Sequence, residues 1–201
     1  KRTPPEPLDA FLFGGGSSHD FERWFGERDL ATLAEAGIAK AKFSTRLAEL
    51  LPQLESTRVL VLSANQPLPG PELRRGIVEF VEEGGGLLIL HPATWFNWSD
   101  WPEYNRDLVG GGSRSHEDFG ELEVRIESIP SPLTRGIVAP FRIQDELYRV
   151  ELDSASANDV FATGRSLASG AEFPVAWTRS HGRGHIVCIT LGHNGAAHEN
   201  E

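Results

Sequence analysis

Three stretches of this chain, Val59-Leu60-Val61-Leu62, Leu87-Leu88-Ile89-Leu90 and Ile186-Val187-Cys188-Ile189, are apolar at every position. Successive side chains of a strand point to opposite faces, so a run without polar alternation is stable only when both faces are covered. That requirement selects a parallel sheet flanked by helices over a sheet with one wet face. The intervening sequence supplies the helices. Phe21, Trp24, Phe25, Leu30, Leu33 and Ala34 recur at helical spacing up to Gly37. Leu47, Leu50, Leu51 and Leu54 form a second stripe, capped by Ser44 or Thr45 and expected to end or bend at Pro52. Pro71 opens a third helix, with Leu73, Ile77, Phe80 and Val81 on one face before Gly84-Gly85-Gly86. With residues 8–13 as a first strand and 38–43 as the next, strand and helix alternate at lengths that imply right-handed crossovers in one α/β domain.

Beyond Leu90 the pattern changes. Residues 92–112 hold Trp95, Phe96, Trp98, Trp101 and Tyr104 without a sustained period, which reads as a functional loop or lid. Leu122, Val124 and Ile126 alternate with charged neighbours, as in a half-exposed strand, and residues 175–178 and 186–189 flank Ser180-His181-Gly182-Arg183-Gly184 as a hairpin. With 201 residues, 39% hydrophobic and 24% charged, the chain can bury one full core. A formal charge of -10 argues against sequence-independent binding to nucleic acid or anionic lipid, and no stretch approaches the roughly 20 apolar residues of a membrane span. The single cysteine, Cys188, forbids an internal disulfide and, inside an apolar run, reads as a core thiol. There is no methionine, so a removed leader is left open. Neither compartment nor oligomeric state follows from the sequence, and a homo-oligomer is compatible with it.

Three apolar runs lead to a histidine: His19 after Phe11-Leu12-Phe13 and its glycines, His91 directly after Leu90, and His193 after Leu191-Gly192. If these runs are parallel neighbours, their exits line the carboxyl edge, where open α/β folds bind ligands, and distant residues share one pocket. Neutral imidazoles with a carboxylate are the ligand set of zinc and similar divalent ions. His19, His91 and His193 are therefore the candidate metal ligands, and His91, Glu146 and His193 the candidate catalytic groups. The ion would acidify a water or polarise a sugar oxygen while a spare carboxylate or imidazole moves the proton. None of the spacings is a local metal motif. Each residue also has a structural reading: His19 as a helix cap beside Asp20, His91 as a turn residue, His193 on strand-end carbonyls, Glu146 bridged to Arg142 or Arg149. Trp95, Trp101 and Tyr104, together with His116, are candidate substrate contacts, because sugar C–H faces pack on aromatic rings. His181, His185 and His198 read as surface or turn residues. Gly14-Gly15-Gly16 lacks the Walker lysine and the spaced dinucleotide glycines, so no nucleotide cofactor is expected.

In order along the chain, residues 15–20, Trp101-Pro102-Glu103-Tyr104, Asp145-Glu146-Leu147-Tyr148, Pro174-Val175-Ala176-Trp177, Gly182-Arg183-Gly184 and Leu191-Gly192-His193 resemble the motifs of the ThuA-like, or trehalose-utilisation, family. The resemblance covers nearly the whole chain. It implies a class I glutamine amidotransferase-like, flavodoxin-like three-layer sandwich with a mostly parallel central sheet, and a link to disaccharide or keto-sugar metabolism. It also implies one domain over residues 8–201, without the family's closing helix, behind a linker or trimmed leader at residues 1–7. The chain departs from the pattern at Ser131-Pro132, where the family often has histidine before proline, and at His181 and His185, where an aromatic and an arginine are common.

Glutamine hydrolysis is not expected: an amidotransferase needs a thiolate on the turn after a central strand, and here that residue is His91. The leading expectation is a metal-assisted hydrolase, lyase or isomerase acting on a disaccharide or keto-sugar, with a small-molecule carbohydrate as partner. The alternatives are a sugar-binding module without catalysis and an interaction domain with a vestigial pocket.

Overall fold

The computed structural model describes residues 6–127 and 132–200. Strand β1 (Leu8–Gly15) leads to a π-helical segment, Glu22–Asp29, that runs into α1 (Leu30–Glu35). Then come β2 (Ala39–Ser44), α2 (Leu47–Leu54), β3 (Val59–Ala64), α3 (Pro71–Glu82) and β4 (Gly86–Leu90). The second half holds β5 (Gly111–His116), β6 (Gly120–Ile126), β7 (Phe141–Asp145), β8 (Tyr148–Leu152), β9 (Asp159–Ser166), β10 (Glu172–His181), β11 (Gly184–Ile189) and the short α4 (Gly195–His198). Residues 1–5 of the expected linker, and Ser131, lie outside the described residues.

One large sheet has the order β2-β1-β3-β4-β11-β10-β9-β6-β7, and β5 pairs with β8 apart from it. The strands from β2 to β11 run parallel to their neighbours, whereas every pairing from β11 outward to β7 is antiparallel. The expected mostly parallel sheet is thus one half of a mixed sheet. The hairpin is the cause: β11 enters parallel to β4, and the two-residue turn before it forces β10 to run the other way. That turn needs glycine twice. Gly182 has φ 58°, and a Cβ on Gly184 would stand 2.2 Å from Val81 O, because the turn docks on the end of α3 with Arg183 N–H donating to Glu82 O at 3.0 Å.

In the parallel half the strands bury both faces. Phe11, Phe13, Leu60, Leu62, Leu87, Ile89 and Ile186 pack with Leu50 and Leu54 of α2 and Ile77 and Val81 of α3. Ala10, Leu12, Ala39 and Val61 form a separate cluster with Leu30 and Leu33. This two-sided burial is what the unbroken apolar runs demand. The antiparallel half has its own cluster around Leu122, Val124, Ile143, Phe161 and Val175. Pro71 sits in the first turn of α3, where its missing N–H would be unpaired anyway. Pro52 does not end α2, which continues to Leu54; burial of Leu50 and Leu54 holds the last turn against the local propensity. Ile77→Val, at a fully buried site, is expected to cost about 1 kcal/mol in urea unfolding with the denaturant slope unchanged.

Residues 92–112 are not a lid. After a 3-10 turn, His91–Thr94, the chain carries Trp98 and Trp101 inward and makes a π-helical turn, Tyr104–Val109; all three rings join the main core beside Trp177. Among the described residues, no helix is long and apolar enough to cross a membrane.

Candidate functional site

The parallel register sets Gly15 beside Ala64, Leu62 beside Ile89 and Leu90 beside Ile189, so β1, β3, β4 and β11 leave the sheet along one edge. His19, His91 and His193 follow three of these exits, and Glu146 arrives from the other half, in the break between β7 and β8. One donor atom from each of these four residues lies within 4.8 Å of the others.

His91 leaves β4 at φ 35°, a left-handed conformation that a non-glycine residue adopts only at a cost. The turn is held by Thr94 Oγ1 donating to His91 O at 2.7 Å and by His91 Nδ1 donating to Thr190 O at 2.6 Å. A carbonyl only accepts, so Nδ1 carries the proton, and Nε2 of the neutral ring presents its lone pair to the edge. Burial, and then the neighbouring His19, hold the His91 pKa well below its ordinary value; the Thr190 carbonyl offsets only part of this. His19 is lowered to about 4 by burial first and then by His193 and His198. Both imidazoles are therefore neutral at neutral pH.

His193 and Glu146 are placed by one buried carboxylate. Asp145 accepts the backbone N–H of Gly192 at 2.7 Å, of Glu146 at 2.8 Å and of His193 at 3.2 Å. Burial pushes its pKa up to about 6 in spite of these bonds, which pull it down. His193 Nδ1 then lies 3.1 Å from Glu146 Oε2 and 3.2 Å from His19 Nε2, while Glu146 Oε2 is 3.9 Å from His91 Nε2. A tetrahedral ion with bonds of about 2.0–2.1 Å sets its donors roughly 3.3 Å apart. The spacing of these contacts fits, and so does the chemistry of the donor set: imidazole nitrogens and a carboxylate oxygen are the ligands that zinc and similar divalent ions prefer.

A cavity of about 270 Å³ opens beside this group, lined by His19, Glu146 and His193 and also by Ser18, Asn65, Pro92, Trp95, Asn97, His116 and Tyr148, with His91 buried behind it. Trp95 and His116 thus stand at the cavity. Trp101 and Tyr104 do not: their rings pack together in the core with centroids 5.1 Å apart, and the Tyr104 hydroxyl donates to Ala93 O at 3.0 Å. Among the described residues Glu146 has no arginine partner: Arg142 pairs with Glu121 and Arg149 with Glu117. Asp20 accepts Arg23 N–H at 3.2 Å at the start of the π-helical segment, which leaves the His19 ring to the edge. His198 is not a surface residue. It bridges Asp29 Oδ1 at 2.8 Å and Gly192 O at 3.0 Å against the rings of Trp24 and Phe25, tying the His193 loop to the first crossover. His181 lies at the hairpin, 3.3 Å from Glu82, away from the strand exits. Cys188 is buried with its thiol 3.9 Å from Val109 O, and burial pushes its pKa up, so it offers no thiolate to the site.

Asn65, Asp145 and Tyr148 were given no role by the sequence reading. Asn65 follows the residue 59–62 run as His91 follows the residue 87–90 run, so the same exit rule points to it. It donates to Ser18 Oγ at 2.8 Å, which in turn is 2.5 Å from His19 Nδ1.

An α/β domain whose parallel strands deliver three histidines to a glutamate at the carboxyl edge is what the fold and the site define. The chain belongs to the ThuA family, described as trehalose utilisation, whose family model matches residues 26–201. Among solved structures it is similar to a ThuA-like protein from Parabacteroides merdae, at 23% identity over 95% of this chain and 81% of that one, with a TM-score of 0.80. A ThuA-like protein from Bacteroides uniformis matches at 16% identity over 98% and 90%, with a TM-score of 0.75. Agd3, a carbohydrate deacetylase, matches at 12% identity over 92% of this chain and 29% of that one, with a TM-score of 0.65. At these identities the likeness is one of fold. The sequence matches no curated protein.

Proposed function

We propose that this domain, a flavodoxin-like three-layer frame, is a carbohydrate enzyme that acts on a disaccharide or keto-sugar with a divalent ion held by His19, His91 and His193. The carrying observation is the convergence of four donor atoms within 4.8 Å of one another, three of them on residues that line a cavity. Such an ion supplies Lewis acidity, lowering the pKa of water or polarising a sugar oxygen. The chain's own groups do the rest. Thr190 fixes the His91 tautomer, Asp145 fixes the backbone that carries Glu146 and His193, and the Glu146 carboxylate moves the proton at the cavity wall.

The cavity itself supports a neutral sugar. Trp95 offers a face for C–H bonds, Ser18, Asn65 and Asn97 offer polar groups for hydroxyls, and no lysine or arginine stands among the described lining residues to receive a phosphate. A volume of about 270 Å³ suits one sugar ring rather than two at once. The family's description and the name of its deacetylase neighbour support the same substrate class.

Untagged protein dialysed against zinc, cobalt or manganese and assayed by elemental analysis is expected to retain about one ion per chain. His91→Ala and His193→Ala are each expected to weaken uptake tenfold or more. Absence of uptake by the wild type, or uptake that survives both substitutions, would overturn this reading.

A further inference from the structure

Tyr148 opens β8 and is 2% exposed, with its ring 4.4 Å from the His91 ring and edge-on to Trp95 at 5.4 Å. Its hydroxyl lies 2.7 Å from His91 Nε2. Because His91 already commits its Nδ1 proton to Thr190 O, the proton in this second bond is the phenol's, aimed at the lone pair that an ion requires. One lone pair cannot serve both. We infer that Tyr148 is a positioning residue that competes with the metal ion for His91: it caps Nε2 in the ion-free protein and, once displaced, turns its O–H into the cavity to donate to a sugar oxygen.

This inference rests on the metal-holding role proposed for His91. The location of the hydroxyl supports the second half of the exchange, since Tyr148 lines the cavity beside Trp95 and His116. Among the described residues His91 Nε2 is the acceptor the hydroxyl bonds, so a displaced O–H turns to a group at the cavity, the Glu146 carboxylate or an entering sugar oxygen.

Two measurements on the full chain test it, with zinc as the probe. Tyr148→Phe keeps the ring and its packing, and by removing the competing hydroxyl it is expected to bind zinc about three- to tenfold more tightly than the wild type, as befits the net worth of one hydrogen bond. Damage to the site would move affinity the other way. The second measurement needs no substitution in the protein observed. The chain has two tyrosines, and Tyr104 is locked in the core on Ala93 O, so fluorotyrosine-labelled protein gives two fluorine resonances, of which the Tyr148 signal is expected to shift on zinc addition while the Tyr104 signal stays. The signal missing in Tyr148→Phe assigns them. Zinc bound with equal or weaker affinity by Tyr148→Phe, or a Tyr148 resonance unmoved in a zinc-loaded wild type, overturns this inference alone. A wild type that takes up no zinc overturns it together with the proposed function.

Discussion

Asp145→Ala is expected to destabilise the protein by about 3 kcal/mol and to abolish the organisation of the site. The carboxylate is fully buried and accepts three backbone N–H groups, from Gly192, Glu146 and His193. Leaving a buried donor unpaired costs about 1–3 kcal/mol, so three orphaned donors cost roughly 3–9 kcal/mol together. Against this stands the relief of a buried charge. Burial raises the pKa of Asp145 from 3.8 to about 6 even with its three bonds in place, so removing the group returns part of the cost of burying its charge. The orphaned donors win. In urea unfolding the midpoint is expected to fall with an unchanged slope, and zinc uptake is expected to fall with it, because the bonds that fix His193 and Glu146 are the ones removed. A loss below about 1 kcal/mol would show that water enters and replaces the carboxylate.

The parallel half of the fold was legible because two-sided burial leaves an unambiguous trace: residues 59–62, 87–90 and 186–189 have no polar position to place in water. The antiparallel half was not, because Leu122, Val124 and Ile126 fix a pleat without fixing a partner, and only the glycine turn at Gly182 hints that the sheet reverses there. The convergence of His19, His91 and His193 was legible from strand direction, since each follows an apolar run that exits at the same edge. Trp101 and Tyr104 were misread as substrate contacts. An irregular segment that buries its rings has no period, and an exposed aromatic platform has none either, so the sequence does not separate the two. Asp145 and Tyr148 act through bonds to partners about 40–60 positions distant, Gly192 and His193 for one and His91 for the other, a link that local pattern does not carry.

In ion-free protein, stability is expected to peak near neutral pH and to fall on acidification from about 6.5 towards 4. The sign follows from which state holds more protons. His19 drops from 6.5 to about 4 on folding, mainly through burial, so across that window the unfolded chain binds the proton and the native protein does not; each step down in pH favours unfolding. His91, lowered further by burial and by His19, acts in the same direction. Asp145 opposes them. Its raised pKa, due to burial, means that the native state takes up the proton first between about 6 and 3.8, which stabilises the fold as pH falls and nearly cancels the His19 contribution. His91 is left to decide the sign, and it decides for acid lability. On the alkaline side the deciding group is His198. Burial lowers it, but the bond and charge of Asp29 and the Gly192 carbonyl together raise it, so its stabilising proton is present below 6.5 and lost as pH rises through the elevated native value. Urea midpoints measured from pH 8 to 4 with chelator present check the curve, and His91→Gln is expected to flatten its acidic limb. Stability that holds level or rises between pH 6.5 and 4 would mean that His91 accepts a proton in the folded state, and so would remove the lone pair on which the metal reading depends.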